Sequence, residues 1–158
     1  MTIIHLTGMS GTGKSTLLHE LARRGWTTID TDDGDWMTTD AAGERVWNEA
    51  HMNRLLASPL ADAHLAIAGT VANQGRFRDR IDAVILLTAP LAVMRDRIAL
   101  RTTNPYGKSP GEWAAIRTHT ATVLPLLRAA ADVALDTSAL TVAQLADRIE
   151  DWLLAHTQ

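Results

Sequence analysis

Three glycines, a lysine and a hydroxyl come together near the start of the chain. Gly8-Met9-Ser10-Gly11-Thr12-Gly13-Lys14-Ser15 is a full match to the spacing G-x-x-x-x-G-K-[ST]. Glycines at these positions let successive backbone N–H groups turn inward as a nest for an anion. A helix that follows directly points its positive N-terminal end at the same place. In such a loop Lys14 reaches the β- and γ-phosphates of a nucleotide and the Ser15 hydroxyl ligates Mg2+. The nucleotide-binding set is therefore Gly8, Ser10, Gly11, Thr12, Gly13, Lys14, Ser15 and Thr16. The loop alone leaves open whether the nucleotide is a phosphate donor, a switch ligand or fuel for motion.

Other polar residues could complete a phosphate site. Asp30 and Asp32 fall at the end of the second apolar run, where one carboxylate can orient Mg2+ and the other can accept a hydroxyl proton. Asp33 and Asp35 read as a solvated turn, and Gly34 comes one place too early for a calcium loop. Arg97 and Arg101 stand four apart and so share one face of a predicted helix. Two guanidiniums aimed at a transferring phosphoryl group supply the charge stabilisation on which phosphoryl transfer mostly depends. They lead into 102–111, where Asn104, Pro105, Gly107, Pro110 and Gly111 make the most turn-rich stretch, a candidate mobile lid. Lys108 lies in that lid. Of 15 basic residues only Lys14 and Lys108 are lysines, so both are candidates for sites that need a compact ammonium with a movable pKa. Thr70, Asn73, Gln74 and Arg76 follow the third apolar run, at the open edge where α/β sheets bind ligands, and are the candidate acceptor-binding residues.

The elements that must hold these groups are legible as alternating periods. Strand-length apolar runs at 2–7, 26–30, 64–69, 83–88 and 132–136 alternate with helical patterns at 14–24, 43–57, 90–102, 111–131 and 142–155. Near-continuous apolar strands suit a parallel sheet covered on both faces. Pro125 inside the fourth helical pattern predicts a kink or break near Val123 and Leu124. At 158 residues the chain reads as one domain, 1–158, with the lid at about 102–111.

This layout resembles the small P-loop kinases of the nucleoside-monophosphate, shikimate and gluconate kinase group, over nearly all of the chain. The resemblance implies an α/β, three-layer P-loop NTPase fold: a five-stranded parallel sheet in order 2-3-1-4-5, helices on both faces and a small lid. It implies ATP and Mg2+ as cofactors and a phosphotransferase acting on a small polar metabolite. Asp30-Thr31-Asp32 is similar to the Asp-x-Asp of shikimate-type kinases, which puts water-mediated magnesium binding on Asp30 and the acceptor hydroxyl on Asp32. Arg97 would lie against adenine, Arg101 would bridge the phosphates, and Asp136-Thr137-Ser138 would pass the base. Trp36, Glu44 and Trp47 belong to the stretch that covers the acceptor in the resembled enzymes, with Trp47 read as core.

The departures carry information too. The third strand ends Ala68-Gly69-Thr70 with no acidic residue, which argues against a motor or AAA-type machine. The Asp-Gly-Phe-Pro-Arg of adenylate kinases and the triple glycine of shikimate kinases are absent, and Asn48 falls where shikimate kinases carry a substrate-binding arginine. The acceptor is therefore expected to be neither AMP in the usual mode nor shikimate. The alternatives are a nucleoside-monophosphate kinase with an atypical acceptor pocket and a nucleotide-binding switch or assembly ATPase.

Composition bounds the rest. A net charge of −3 gives no global basic surface for nucleic acid, and no apolar run approaches a membrane span. Cysteine is absent, which excludes disulfides and thiolate sites. The N-terminal apolar stretch runs straight into the glycine loop with no basic region before it, so it reads as a strand in a cytoplasmic protein.

Overall fold

The computed structural model describes residues 2–58 and 64–156. β1 (Ile3–Thr7) is buried along its whole length, yet its side chains alternate between two environments. Ile4 and Leu6 enter an apolar cluster with Leu17, Leu21 and Ile149, whereas Ile3 joins Trp47, Met52 and Phe77 on the opposite face. Burial on both sides is why the run reads as continuously apolar.

The chain continues through α1 (Lys14–Arg23), β2 (Thr27–Asp30), β3 (Met37–Thr39), β4 (Arg45–Trp47), α2 (Glu49–Ala57) and β5 (Leu65–Ala68). A 3-10 helix (Gln74–Arg80) leads to β6 (Ala83–Thr88), α3 (Leu91–Leu100), α4 (Pro110–Thr122), α5 (Leu124–Ala130), β7 (Val133–Asp136) and α6 (Val142–His156). Five parallel strands form one sheet in the order β2-β5-β1-β6-β7. With the hairpin β3–β4 set aside, this is the expected order 2-3-1-4-5. β1 sits at the centre, so the loop that follows it opens at the middle of the sheet's C-terminal edge, where α/β folds place their ligands.

α1 and α6 cover one face of the sheet, and α2 with the 3-10 helix covers the other. A third cluster joins Met9 of the glycine loop to Leu86, Met94, Ile98, Trp113 and Ile116, so the loop is backed by packed helices. Among the described residues no helix is long and apolar enough to cross a membrane.

One helical expectation needs correction and another holds. The pattern 43–57 is helical only from Glu49; before it, Met37–Thr39 and Arg45–Trp47 pair antiparallel. Asp40 Oδ1 accepts the Ala42 and Glu44 N–H groups in the intervening turn, and the Asn48 side chain caps α2 by accepting the His51 N–H at 3.1 Å. The 111–131 pattern divides at Val123 into α4 and α5, as Pro125 requires.

Candidate functional site

The glycine loop between β1 and α1 holds Gly11 and Gly13 at φ of +83° and +99°, a conformation open to glycine at little cost. Gly13 is the N-cap of α1 and offers the helix no side-chain acceptor, and the first turn contains no acidic residue. No acidic residue of α1 itself faces its positive end, which suits an anion. Lys14 turns back beneath the loop and donates from Nζ to the Gly8 carbonyl at 2.6 Å and the Met9 carbonyl at 3.0 Å. Burial pushes its ammonium down to about 8, opposed by the charges of Asp32 and Asp30.

Asp30 lies at the end of β2 with Oδ2 accepting the Ser15 hydroxyl at 3.0 Å, so two hard oxygen donors from different elements meet. Asp32 and Arg101 look into the same space, where Asp32 partly offsets the lowering of the Arg101 pKa by burial. Arg97 donates to the Gly11 carbonyl at 3.3 Å and to Thr137 Oγ1 at 2.7 Å, and the Thr137 hydroxyl donates to the Thr12 carbonyl at 2.7 Å. This chain of bonds ties α3 and the loop after β7 to the outside of the glycine loop.

These groups surround a cavity of about 500 Å3. Ser10, Gly11, Gly13, Lys14, Ser15 and Thr16 line it from the loop, joined by Asp32, Arg97, Arg101 and Thr137. Leu140, Val142 and Leu145, none of them a sequence-predicted site residue, add an apolar wall that is continuous with the main apolar cluster. A wall of that kind beside Arg97 can take the flat face of a base, while the loop end takes phosphate.

Several expected site residues stand elsewhere or are already engaged. Gly8 and Thr12 lie behind the cavity: the Gly8 carbonyl accepts Lys14, and the Thr12 hydroxyl donates to Met9. Asp136 is exposed and accepts from Ser138 N–H and Oγ within its own turn, away from the cavity. Lys108 donates to the Arg101 carbonyl at 2.7 Å, and Arg101 itself donates to the lid carbonyls of Asn104 and Tyr106, so neither cation is pointed at a phosphate by its protein contacts.

Three of the four acceptor-side candidates are also committed to the main chain. The Thr70 hydroxyl bonds both the N–H and the carbonyl of Gly8, at 2.9 and 2.7 Å. Gln74 Oε1 accepts the Val71 N–H, and Asn73 takes the N–H and carbonyl of Trp47, each at 3.0 Å. Arg76 pairs with Glu49 on the surface at 2.8 Å. Thr70, Asn73 and Gln74 therefore brace the walls of the site. A polar residue beside a strand end has the same signature in sequence whether it meets a ligand or a neighbouring backbone.

Beneath the site, His5 is buried and bonds the Gly69 carbonyl through Nε2 at 2.7 Å, with its ring 4.9 Å from that of Trp47. Because a carbonyl can only accept, Nε2 carries the proton. Burial pushes this imidazole down to about 4.

A parallel sheet in this order, whose central strand feeds a glycine loop that wraps a helix N-terminus, is the P-loop NTPase fold in the form used by small kinases. Residues 4–122 match the family described as an AAA domain, and the chain belongs to that family. The missing acidic strand end argued against an AAA-type machine; the family label is AAA, and β5 nevertheless ends at Ala68 without a carboxylate. A shikimate kinase from Acinetobacter baumannii, solved in complex with shikimate, is 21% identical with a TM-score of 0.68, the match covering 98% of this chain and 94% of that one. A shikimate kinase from Bacteroides thetaiotaomicron is 20% identical with a TM-score of 0.66, covering 96% and 98% of the two chains. At these identities the likeness is one of fold. Comparison with curated proteins gives no match.

Proposed function

We propose that the protein is an ATP- and Mg2+-dependent phosphotransferase whose acceptor is a small polar metabolite. The observation that carries this reading is the convergence of Lys14, Ser15, Asp32, Arg97 and Arg101 on one cavity at the open end of α1. The likeness of fold to shikimate kinases supports the same class of reaction.

The residues fit the cofactor. Ser15 Oγ and Asp30 Oδ2, 3.0 Å apart, are hard oxygens of the type Mg2+ prefers, and phosphate oxygens and water would complete its shell. Bound there, the ion would neutralise charge on the β- and γ-phosphates. The glycine loop and Lys14 hold those phosphates, the Leu140–Val142 wall and Arg97 receive the base, and Asp32 orients or deprotonates the acceptor hydroxyl. As the lid closes and excludes water, Arg101 turns from the lid carbonyls, and Lys108 from the Arg101 carbonyl, to the transferring group. The reaction is contained in one domain, 1–158, and its dependence on ATP suits the cytoplasm.

ADP release measured across a metabolite library tests the proposal. Stimulation by one small hydroxylated compound supports it, and stimulation by nucleoside monophosphates alone would move the assignment to that kinase class. If only a co-purified protein raised the rate, the chain would be a nucleotide switch. Asp32→Asn is expected to lower acceptor-dependent turnover by about 10²-fold or more, while ATP affinity stays within about twofold. A large fall in ATP affinity would place Asp32 on the metal side.

A further inference from the structure

The two site carboxylates are neighbours of a residue that points the other way. Asp30 closes β2, and Thr31 and Asp32 begin the turn after it, in which the Asp33 N–H donates to the Asp30 carbonyl and the Asp32 N–H to Asp30 Oδ1, each at 3.1 Å. Asp30 meets Ser15 and Asp32 lines the cavity, whereas Thr31 is completely buried. It is also the sole buried residue between Trp26 and Val46, a stretch otherwise half-buried or exposed.

Thr31 is held through its N–H and through its hydroxyl, which both donates and accepts. Its N–H and its hydroxyl both donate to the Ala68 carbonyl, at 3.0 and 2.8 Å, and its Oγ1 accepts the Trp47 indole N–H at 3.0 Å. Position 69 leaves room for that hydroxyl only because it is glycine. A Cβ there would lie 2.2 Å from Thr31 Oγ1 and 3.3 Å from Trp47 Nε1. Trp47 is in turn fixed by Asn73, which pairs with both its backbone groups, and by packing against His5 and Phe77. The exposed acidic turn therefore has one peg into the interior, and the hairpin β3–β4 grips that peg.

We propose that Thr31, clamped between the Ala68 carbonyl and the Trp47 indole, is the positioning residue that sets the Asp30 and Asp32 carboxylates. Trp47 ties their setting to the β3–β4 hairpin. The inference rests on the reading of Asp30 and Ser15 as the magnesium side of an ATP site. Losing the peg frees Asp30 from its place opposite Ser15 and leaves the glycine loop and Lys14 untouched. Its mark is a weaker contribution of the metal to nucleotide binding with the metal-free affinity preserved.

Calorimetric titration of ATP into the full chain, with excess Mg2+ and again with EDTA, gives the factor by which the metal strengthens binding. Thr31→Val should cut that factor about fivefold, the scale of one lost hydrogen bond, with the EDTA affinity within about twofold of wild type. Thr31→Ser, which keeps the hydroxyl, should restore it. Trp47→Phe keeps most of the buried ring and removes the indole donor, so it should also lower the factor; it decides the matter if Thr31→Val fails to fold. A folded Thr31→Val that keeps the wild-type factor overturns the inference, as does Trp47→Phe doing so in its place. An equal loss with and without metal overturns it too, since that is general damage. A wild-type protein that gains nothing from Mg2+ would instead sink the magnesium reading beneath it.

Discussion

Lys14 is the residue on which the site turns. Its ammonium lies under the glycine loop against two carbonyls, at 2.6 and 3.0 Å, and burial has lowered its pKa to about 8. Both facts demand a compact cation: a guanidinium has no single atom that can fill this place and stays charged regardless of burial. Lys14→Arg should therefore abolish most of the thermal stabilisation that saturating ATP confers and reduce phosphoryl transfer by about 10²-fold or more. An ATP-induced melting shift equal to that of wild type would show that the loop does not require lysine. Lys108 makes the contrast. It is equally scarce, but it bonds the Arg101 carbonyl at the end of α3 and does not line the cavity, so it reaches a phosphate only through the lid closure proposed above.

At the scale of elements, the hairpin β3–β4 is the unit that most distinguishes the described fold from the expected one. Its signals are present in the sequence: Thr38 and Thr39 before the turn, Asp40 and Gly43 within it, Val46 and Trp47 after it. Apolar spacing across 43–57 favours a helix because each arm is only three residues long, too short for a period of two to register against the helix that follows. Tertiary contact settles the choice. Asn73 pairs with both backbone groups of Trp47 and so acts as an added rung beside β4. Asn73→Ala should cost about 1–3 kcal/mol, because the Trp47 N–H and carbonyl lose their partners next to a fully buried ring. Urea denaturation measures this, and an unchanged midpoint would mean that the hairpin holds itself.

At the scale of the whole molecule, stability is coupled to the protonation of His5. This imidazole lies in the central strand, and burial has moved its pKa from 6.5 to about 4. Between those values the unfolded chain binds a proton that the folded chain refuses, so stability falls as the pH drops through the window. The loss reaches roughly 3 kcal/mol near pH 4. Urea unfolding at pH 7 and at pH 4.5 should show a smaller acid-side loss for His5→Gln than for wild type, and equal losses would remove His5 as the cause. The sequence by itself determined the phosphate loop, the five parallel strands and the break at Pro125, because each is written in residues close together along the chain: a glycine spacing, an apolar run, a ring without an N–H. Only the tertiary structure decided which polar residues face the cavity and which brace it. Thr31, Asn73 and Thr70 find their partners 37, 26 and 62 positions away. A hydroxyl or an amide looks the same in sequence whether it meets a ligand or a distant backbone, since its role is set by what folding brings within hydrogen-bond reach.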